Sequence, residues 1–167
     1  MKGNIHMPAL PITIVRGDAA PTMSRGDLPT GAVFSVKGRN GRLGKRYANM
    51  GHNGRAYSVN LDTKELASSG NFDTNCTLIG KWEFKVDRTH KRGVTGRQCA
   101  RSEVRPGEIF VVKGKDTEYA HLGRIEKDMR GWLSIPLARQ HNHAVTRNGD
   151  SSVEIVGTFE LGVTLSA

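Results

Sequence analysis

The sequence predicts an all-β protein built as two tandem copies of a small SH3-like or OB-like barrel, each about 65 residues long. Composition is the first ground. Glycine makes up 20 of the 167 residues, well above the usual ~7%, a load that disfavours helices and suits turns. Short runs of β-branched and aromatic residues closed by turn residues are the second. The third is an internal repeat, which sets the domain plan.

The segment Arg25-Gly-Asp-Leu-Pro-Thr-Gly-Ala-Val-Phe-Ser-Val-Lys-Gly38 returns as Arg101-Ser-Glu-Val-Arg-Pro-Gly-Glu-Ile-Phe-Val-Val-Lys-Gly114, each residue 76 positions after its mate. Ser58-Val-Asn-Leu61 matches Ser134-Ile-Pro-Leu137 at the same offset, and Leu78–Val86 matches Ile155–Val163 at an offset of 77. Tyr47-Ala48 pairs with Tyr119-Ala120 across a four-residue deletion. Blocks in one order with matching apolar parity indicate duplication; the alternative is a single sandwich with accidental similarity. The plan is a leader 1–23, unit one 24–86, a connector 87–99 and unit two 100–167.

In chain order, the leader carries Pro8, Pro11 and Pro21 and no regular element is assigned to it. Leu28-Pro-Thr-Gly31 and Val104-Arg-Pro-Gly107 are turns that open the first strand of each unit, Ala32–Val36 and Ile109–Val112. Ala56–Leu61 alternates, placing Tyr57, Val59 and Leu61 on one face. Trp82, Phe84 and Val86 alternate likewise, and Phe159, Leu161 and Val163 repeat the arrangement. Asn40-Gly41, Asn53-Gly54 and Asn148-Gly149 mark tight turns. Leu122–Arg130 could be helical, but its counterpart Asn49–Gly54 is no helix former, so a hairpin loop is the common reading.

Other classes are set aside. The longest apolar stretch, Ala9–Val15, is far short of the ~20 residues of a membrane span. Pro8 and Pro11 interrupt it, so no signal peptide is read. Cys76 and Cys99 are too few and too far apart for a zinc site or a disulfide framework; the expectation is reduced thiols in a cytoplasmic protein, with Cys76 buried in a strand. His141-Asn-His143 lacks further ligands at suggestive spacing, so no metal and no cofactor is assigned. No nucleophile elbow, Cys–His pairing or carboxylate pair is present, so no catalytic residue is named and the expectation is a non-enzyme. Arg16-Gly-Asp18 and Arg25-Gly-Asp27 are turn chemistry.

Charge gives the functional lead. Lys and Arg number 25 against 16 Asp and Glu, a net +9, and this balance favours a polyanionic partner. Residues 1–86 carry 12 cations against 6 acids, while 87–167 carry 13 against 10, so unit one is the better anion binder. The stretch from Lys37 to Arg46 is not a phosphate-binding P-loop, because five residues rather than four separate Gly38 from Gly44 and Arg46 follows Lys45. It does hold Lys37, Arg39, Arg42, Lys45 and Arg46 among flexible glycines, followed by Tyr47 as a stacking face and Arg55. That is a composition able to track a phosphate backbone. The connector adds Arg88, Lys91 and Arg92. The plainer reading of both clusters is a solvated loop and a soluble tether.

Each unit also resembles small β-barrel accessory proteins of tailed bacteriophages. The residues that carry this are Leu28-Pro-Thr-Gly-Ala-Val-Phe34, Ser58-Val-Asn-Leu-Asp-Thr-Lys64 and Leu78-Ile-Gly-Lys-Trp82, with Arg105-Pro-Gly-Glu-Ile-Phe110 and Val153-Glu-Ile-Val-Gly157 in unit two. The resemblance implies a phage accessory or early protein acting in the host cytoplasm; it transfers no functional residue. The expected function is therefore non-enzymatic binding of DNA or RNA. The alternatives are an inhibitor docking on a host enzyme or defence factor, and a virion decoration protein.

Overall fold

The computed structural model describes residues 9–17, 22–36, 44–52, 54–88, 96–125, 131–138, 144–146 and 151–166. The first half runs β1 (Ile12–Gly17), β2 (Thr22–Ser24), a 3-10 turn (Arg25–Asp27), β3 (Ala32–Val36), β4 (Arg46–His52), β5 (Ala56–Asn60), β6 (Leu66–Ser69) and β7 (Asn75–Asp87). The second runs β8 (Gln98–Ala100), a 3-10 turn (Arg101–Glu103), β9 (Glu108–Val112), β10 (Glu118–Arg124), β11 (Trp132–Pro136), β12 (Ala144–Thr146) and β13 (Ser152–Ser166). The all-β expectation holds. No helix among the described residues is long and apolar enough to cross a membrane.

The strands form one curled sheet in the order β12-β11-β10-β9-β13-β7-β3-β4-β5-β6. Neighbours along this path are antiparallel. The leader is not featureless: β1 adds to β13 in parallel, Ile12 against Leu161 through Gly17 against Ser166. Leu122–Arg124, at the start of the helical candidate, completes strand β10, and 126–130 lies outside the described residues. Among the described residues β6 and β12 end the ladder, so the sheet is open where two closed barrels would each have returned on themselves.

The same succession of pairings occurs twice. Val33 faces Gly80 and Phe34 faces Leu78 across a bulge, and Ile109 faces Gly157 and Phe110 faces Ile155 across another at the matching place. Tyr47 faces Asn60 and Gly51 faces Tyr57; Tyr119 faces Pro136 and Gly123 faces Leu133, again with matching bulges. Even the turns agree. Gly31 and Gly107, at φ +91° and +92°, take a conformation that L side chains rarely adopt. Each donates its N–H into the hairpin beside it, to Asn49 O and His121 O respectively.

The long strands β7 and β13 join the halves, Phe159 opposite Val86 through Leu165 opposite Gly80. Phe84 lies opposite Leu161, its own counterpart at the offset of 77, so this pair marks a pseudo-two-fold centre. The two faces of the sheet then divide the core. One face builds a single cluster from both halves, with Val33, Met50, Val59 and Trp82 packed together with Ile109, Leu122, Leu133, Ile135, Phe159 and Leu161. The other carries two smaller clusters, one per half: Leu28, Ala32, Phe34 and Cys76, and Val104, Phe110, Val153 and Ile155.

Candidate nucleic-acid interface

Of the cations singled out in the sequence, Lys37, Arg39, Arg42, Lys91 and Arg92 lie outside the described residues, as do His141 and His143. The others fall into two groups. Val36, which leads into the basic loop, pairs with Cys76, eight residues before Phe84. Val112, at the matching point in the second half, pairs with Val153, eight residues before Leu161. Because β7 and β13 are antiparallel, these points lie at opposite ends of the ladder, on the order of 50 Å apart along the strand path at ~3.3 Å per residue. Arg88 belongs to the second end: it pairs with Glu118, the first residue of β10, beside the turn holding exposed Lys113 and Lys115. Arg88 thus lies well removed along the strand path from Lys45, Arg46 and Arg55, while its cluster mates Lys91 and Arg92 lie outside the described residues.

At the first end the side chains differ in freedom. Arg46 is engaged with Asp62 at 2.7 Å. Exposed ion pairs of this kind contribute little to stability, but the cation is partly neutralised. Lys45 and Arg55 are exposed and, among the described residues, have no carboxylate within ion-pair distance. Arg55 donates from Nε to Ser68 Oγ at 3.3 Å, which draws it back from the β4–β5 turn towards β6. Tyr47 is half-buried, its ring stacked on Phe34 with centroids 5.4 Å apart. Lys45, Tyr47 and Ser68 line one hollow of about 210 Å³ between β4 and β6. Residues far apart in the chain thus converge on one place.

A neighbouring cavity of about 230 Å³ shares Tyr47, Ala67 and Ser68 with that hollow and reaches Arg25, Phe34, Ser58, Ser69, Asn71 and Thr74. Arg25 is only 6% exposed. Its guanidinium lies over the Phe34 ring at 4.6 Å. Nη1 donates to Asn49 Oδ1 at 2.7 Å and Nη2 to Tyr57 O at 3.2 Å. Asn49 is fixed in turn, donating from Nδ2 to Leu28 O and Pro29 O. No described carboxylate pairs with Arg25, and burial pulls its pKa below the usual guanidinium value. Cys76 is buried in β7, as the sequence suggested, and burial raises its thiol pKa against the pull of Arg25. A neutral thiol does not neutralise the guanidinium.

The second half repeats this stack imperfectly. Arg101 lies over Phe110 at 5.0 Å, and Phe110 stacks on Tyr119 with centroids 5.5 Å apart. Where Asn49 would stand is His121, whose Nδ1 meets Ser134 Oγ at 3.3 Å. Arg101 Nη2 reaches the same hydroxyl at 3.5 Å, and its buried Nε has no hydrogen-bond partner among the described residues. Burial, reinforced by Arg101, pushes the His121 imidazole down to about 4.

Neither arginine was singled out in the sequence as a site residue. The available signal was their recurrence 76 positions apart, each ahead of a matching phenylalanine and tyrosine. No family model, curated protein or solved structure matches the chain.

Proposed function

We propose that the protein is a non-enzymatic binder of nucleic acid that grips phosphates at the first end of the ladder. The observation that carries this is exposed Lys45, which has no ion-pair partner among the described residues, on a hollow lined also by Tyr47, Glu65 and Ser68, with exposed Arg55 held against the same Ser68. The basic loop holding Lys37, Arg39 and Arg42 joins this end directly. Two cations beside an aromatic wall suit a strand whose backbone is held electrostatically while a base stacks. We infer further that the halves are copies of one ancestral small-barrel unit, joined after duplication, a reading supported by the matched pairings and bulges. The accessory role in a phage belongs to the same proposal.

The test is a titration of labelled single-stranded DNA, duplex DNA and RNA at two salt concentrations. Reversing both Lys45→Glu and Arg55→Glu is expected to weaken binding by roughly tenfold or more and to flatten the salt slope by about two. Arg88→Glu, at the far end and already engaged with Glu118, is expected to leave the slope almost unchanged. Wild-type affinity in the double variant would overturn the assignment.

A second reading, docking on an acidic or mixed-charge host protein, is favoured by a groove of about 740 Å³ across the middle of the molecule. Lys85, Asp87, Arg105, Glu108 and Glu160 mix their charges along it. Capture of one stoichiometric protein that survives nuclease treatment and is lost in Arg105→Glu would support that reading.

A further inference from the structure

We propose that the Arg25 cavity is a phosphoryl-group site, taking the phosphomonoester of a nucleotide or of a nucleic-acid strand end between the Arg25 guanidinium and the hydroxyls of Ser58, Ser69 and Thr74. The inference deepens the nucleic-acid reading and rests on it for the source of the phosphate.

Buried charges in proteins are normally paired, because an isolated one loses its hydration without compensation. Arg25 departs from that rule. It is 6% exposed, its described partners are the neutral Asn49 amide and Tyr57 carbonyl, and no Asp or Glu lines the cavity. A guanidinium carries five N–H donors, so those two bonds leave donors available. The cavity, at about 230 Å³, far exceeds the ~15 Å³ that one water needs. Its walls include the hydroxyls of Ser58, Ser68, Ser69 and Thr74, the Asn71 amide, and the stacked Phe34 and Tyr47 rings. A group that presents several anionic oxygens and is attached to a planar ring matches both walls; a phosphomonoester does so more fully than a carboxylate, which has two oxygens to offer. Lys45 lines the adjoining hollow, which shares Tyr47, Ala67 and Ser68 with the cavity, and Arg55 is bonded to that Ser68.

The experiment is calorimetric titration of the full chain, in phosphate-free buffer, with adenosine monophosphate, with adenosine, and with a short oligothymidylate carrying either a 5′-phosphate or a 5′-hydroxyl. Adenosine monophosphate is expected to bind and adenosine not. Ala67→Leu, which fills the cavity from β6 without touching Arg25, is expected to weaken nucleotide binding about tenfold or more. Thr74→Val, which removes one hydroxyl from the wall, provides a second, milder variant should the first perturb β6. If neither adenosine monophosphate nor the 5′-phosphate of the oligonucleotide adds affinity, the proposal is overturned. It is equally overturned if both variants bind the nucleotide as wild type does, since the phosphate would then sit elsewhere. A 5′-phosphate that raises strand affinity above that of the 5′-hydroxyl strand assigns the site to strand ends, and nucleotide binding without such a gain assigns it to nucleotides. A 5′-hydroxyl strand that binds as tightly as the 5′-phosphate strand while the nucleotide does not bind removes this inference and leaves the backbone reading intact; nucleotide binding without strand binding does the opposite.

Discussion

Arg25 and Arg101 hold the same place in the two halves and differ in what receives their protons. In the first half Asn49 accepts from Arg25 and ties down the turn at Leu28 and Pro29; in the second His121 stands there and shares the Ser134 hydroxyl with Arg101. An imidazole held neutral by burial makes stability depend on pH. The folded pKa of about 4 lies below the ordinary 6.5, so between those values the unfolded chain takes up a proton that the native residue does not. This contribution is complete above pH 6.5 and is lost as the pH falls towards 4, amounting to about 3 kcal/mol over the window. His121→Asn, which installs the residue of the first half, is expected to remove that part of the acid-side loss; urea unfolding midpoints at pH 7 and pH 4.5 check it. The aromatic members of both stacks were legible in the sequence as Phe34/Phe110 and Tyr47/Tyr119. The arginines were not, because a linear reading counts a cation as surface charge until burial shows otherwise.

At the scale of elements, the alternation of Trp82, Phe84 and Val86 predicted one face of β7, and the repeat predicted that β13 would match it. Asn49–Gly54 and Leu122–Arg130 read in the sequence as hairpin loops; Asn49–His52 and Leu122–Arg124 instead form the ends of β4 and β10, paired with β5 and β11. The bulges were not legible, since an extra residue such as Ile79 carries no mark in a period-two pattern. Nor was β6, whose Leu66-Ala-Ser-Ser69 is too polar to read as a strand without the neighbour it pairs with. The length of β7 also bears on the site: this 13-residue strand lies between the described loop cations Lys45 and Arg46 and the connector's Arg88. The β7–β13 ladder also depends on close approach at two glycines, each four residues from the central Phe84–Leu161 pair. A Cβ at Gly80 would stand 2.1 Å from Thr164 O, and one at Gly157 would stand 2.9 Å from Asp87 O. Both obstacles are backbone atoms. Gly157→Ala is expected to destabilise by about 1–3 kcal/mol and Gly80→Ala by more, an order that chemical denaturation of the two variants would establish.

Across the whole molecule the two sequence units share a sheet and a core. Units 24–86 and 100–167 were expected to be barrels that bury a shared face. The structure gives them one sheet and one principal core, to which Trp82 and Phe159 contribute from opposite halves. Neither half can bury its β7 or β13 face alone, so the two should unfold together. Trp82 and Trp132 report on separate halves, and Trp82→Phe and Trp132→Phe leave one probe each. With each variant's unfolding also followed by circular dichroism, fluorescence and backbone signals are expected to share a midpoint in both proteins. Two separated transitions would mean that the halves are independent after all.

The strand β1 has a mechanical consequence. It lies beside the last residues of β13 and runs in the same direction, Ile12 level with Leu161 and Gly17 level with Ser166. Tension that draws the chain apart at those two strands pulls β1 backwards and β13 forwards along a common axis. All the hydrogen bonds between them are then loaded at once, in shear, instead of opening one after another like a zipper. Rupture requires the whole clamp to slip together, so the resistance is set by the rate of unfolding under load rather than by equilibrium stability. Under such a load the leader strand would hold against β13 as a shear clamp.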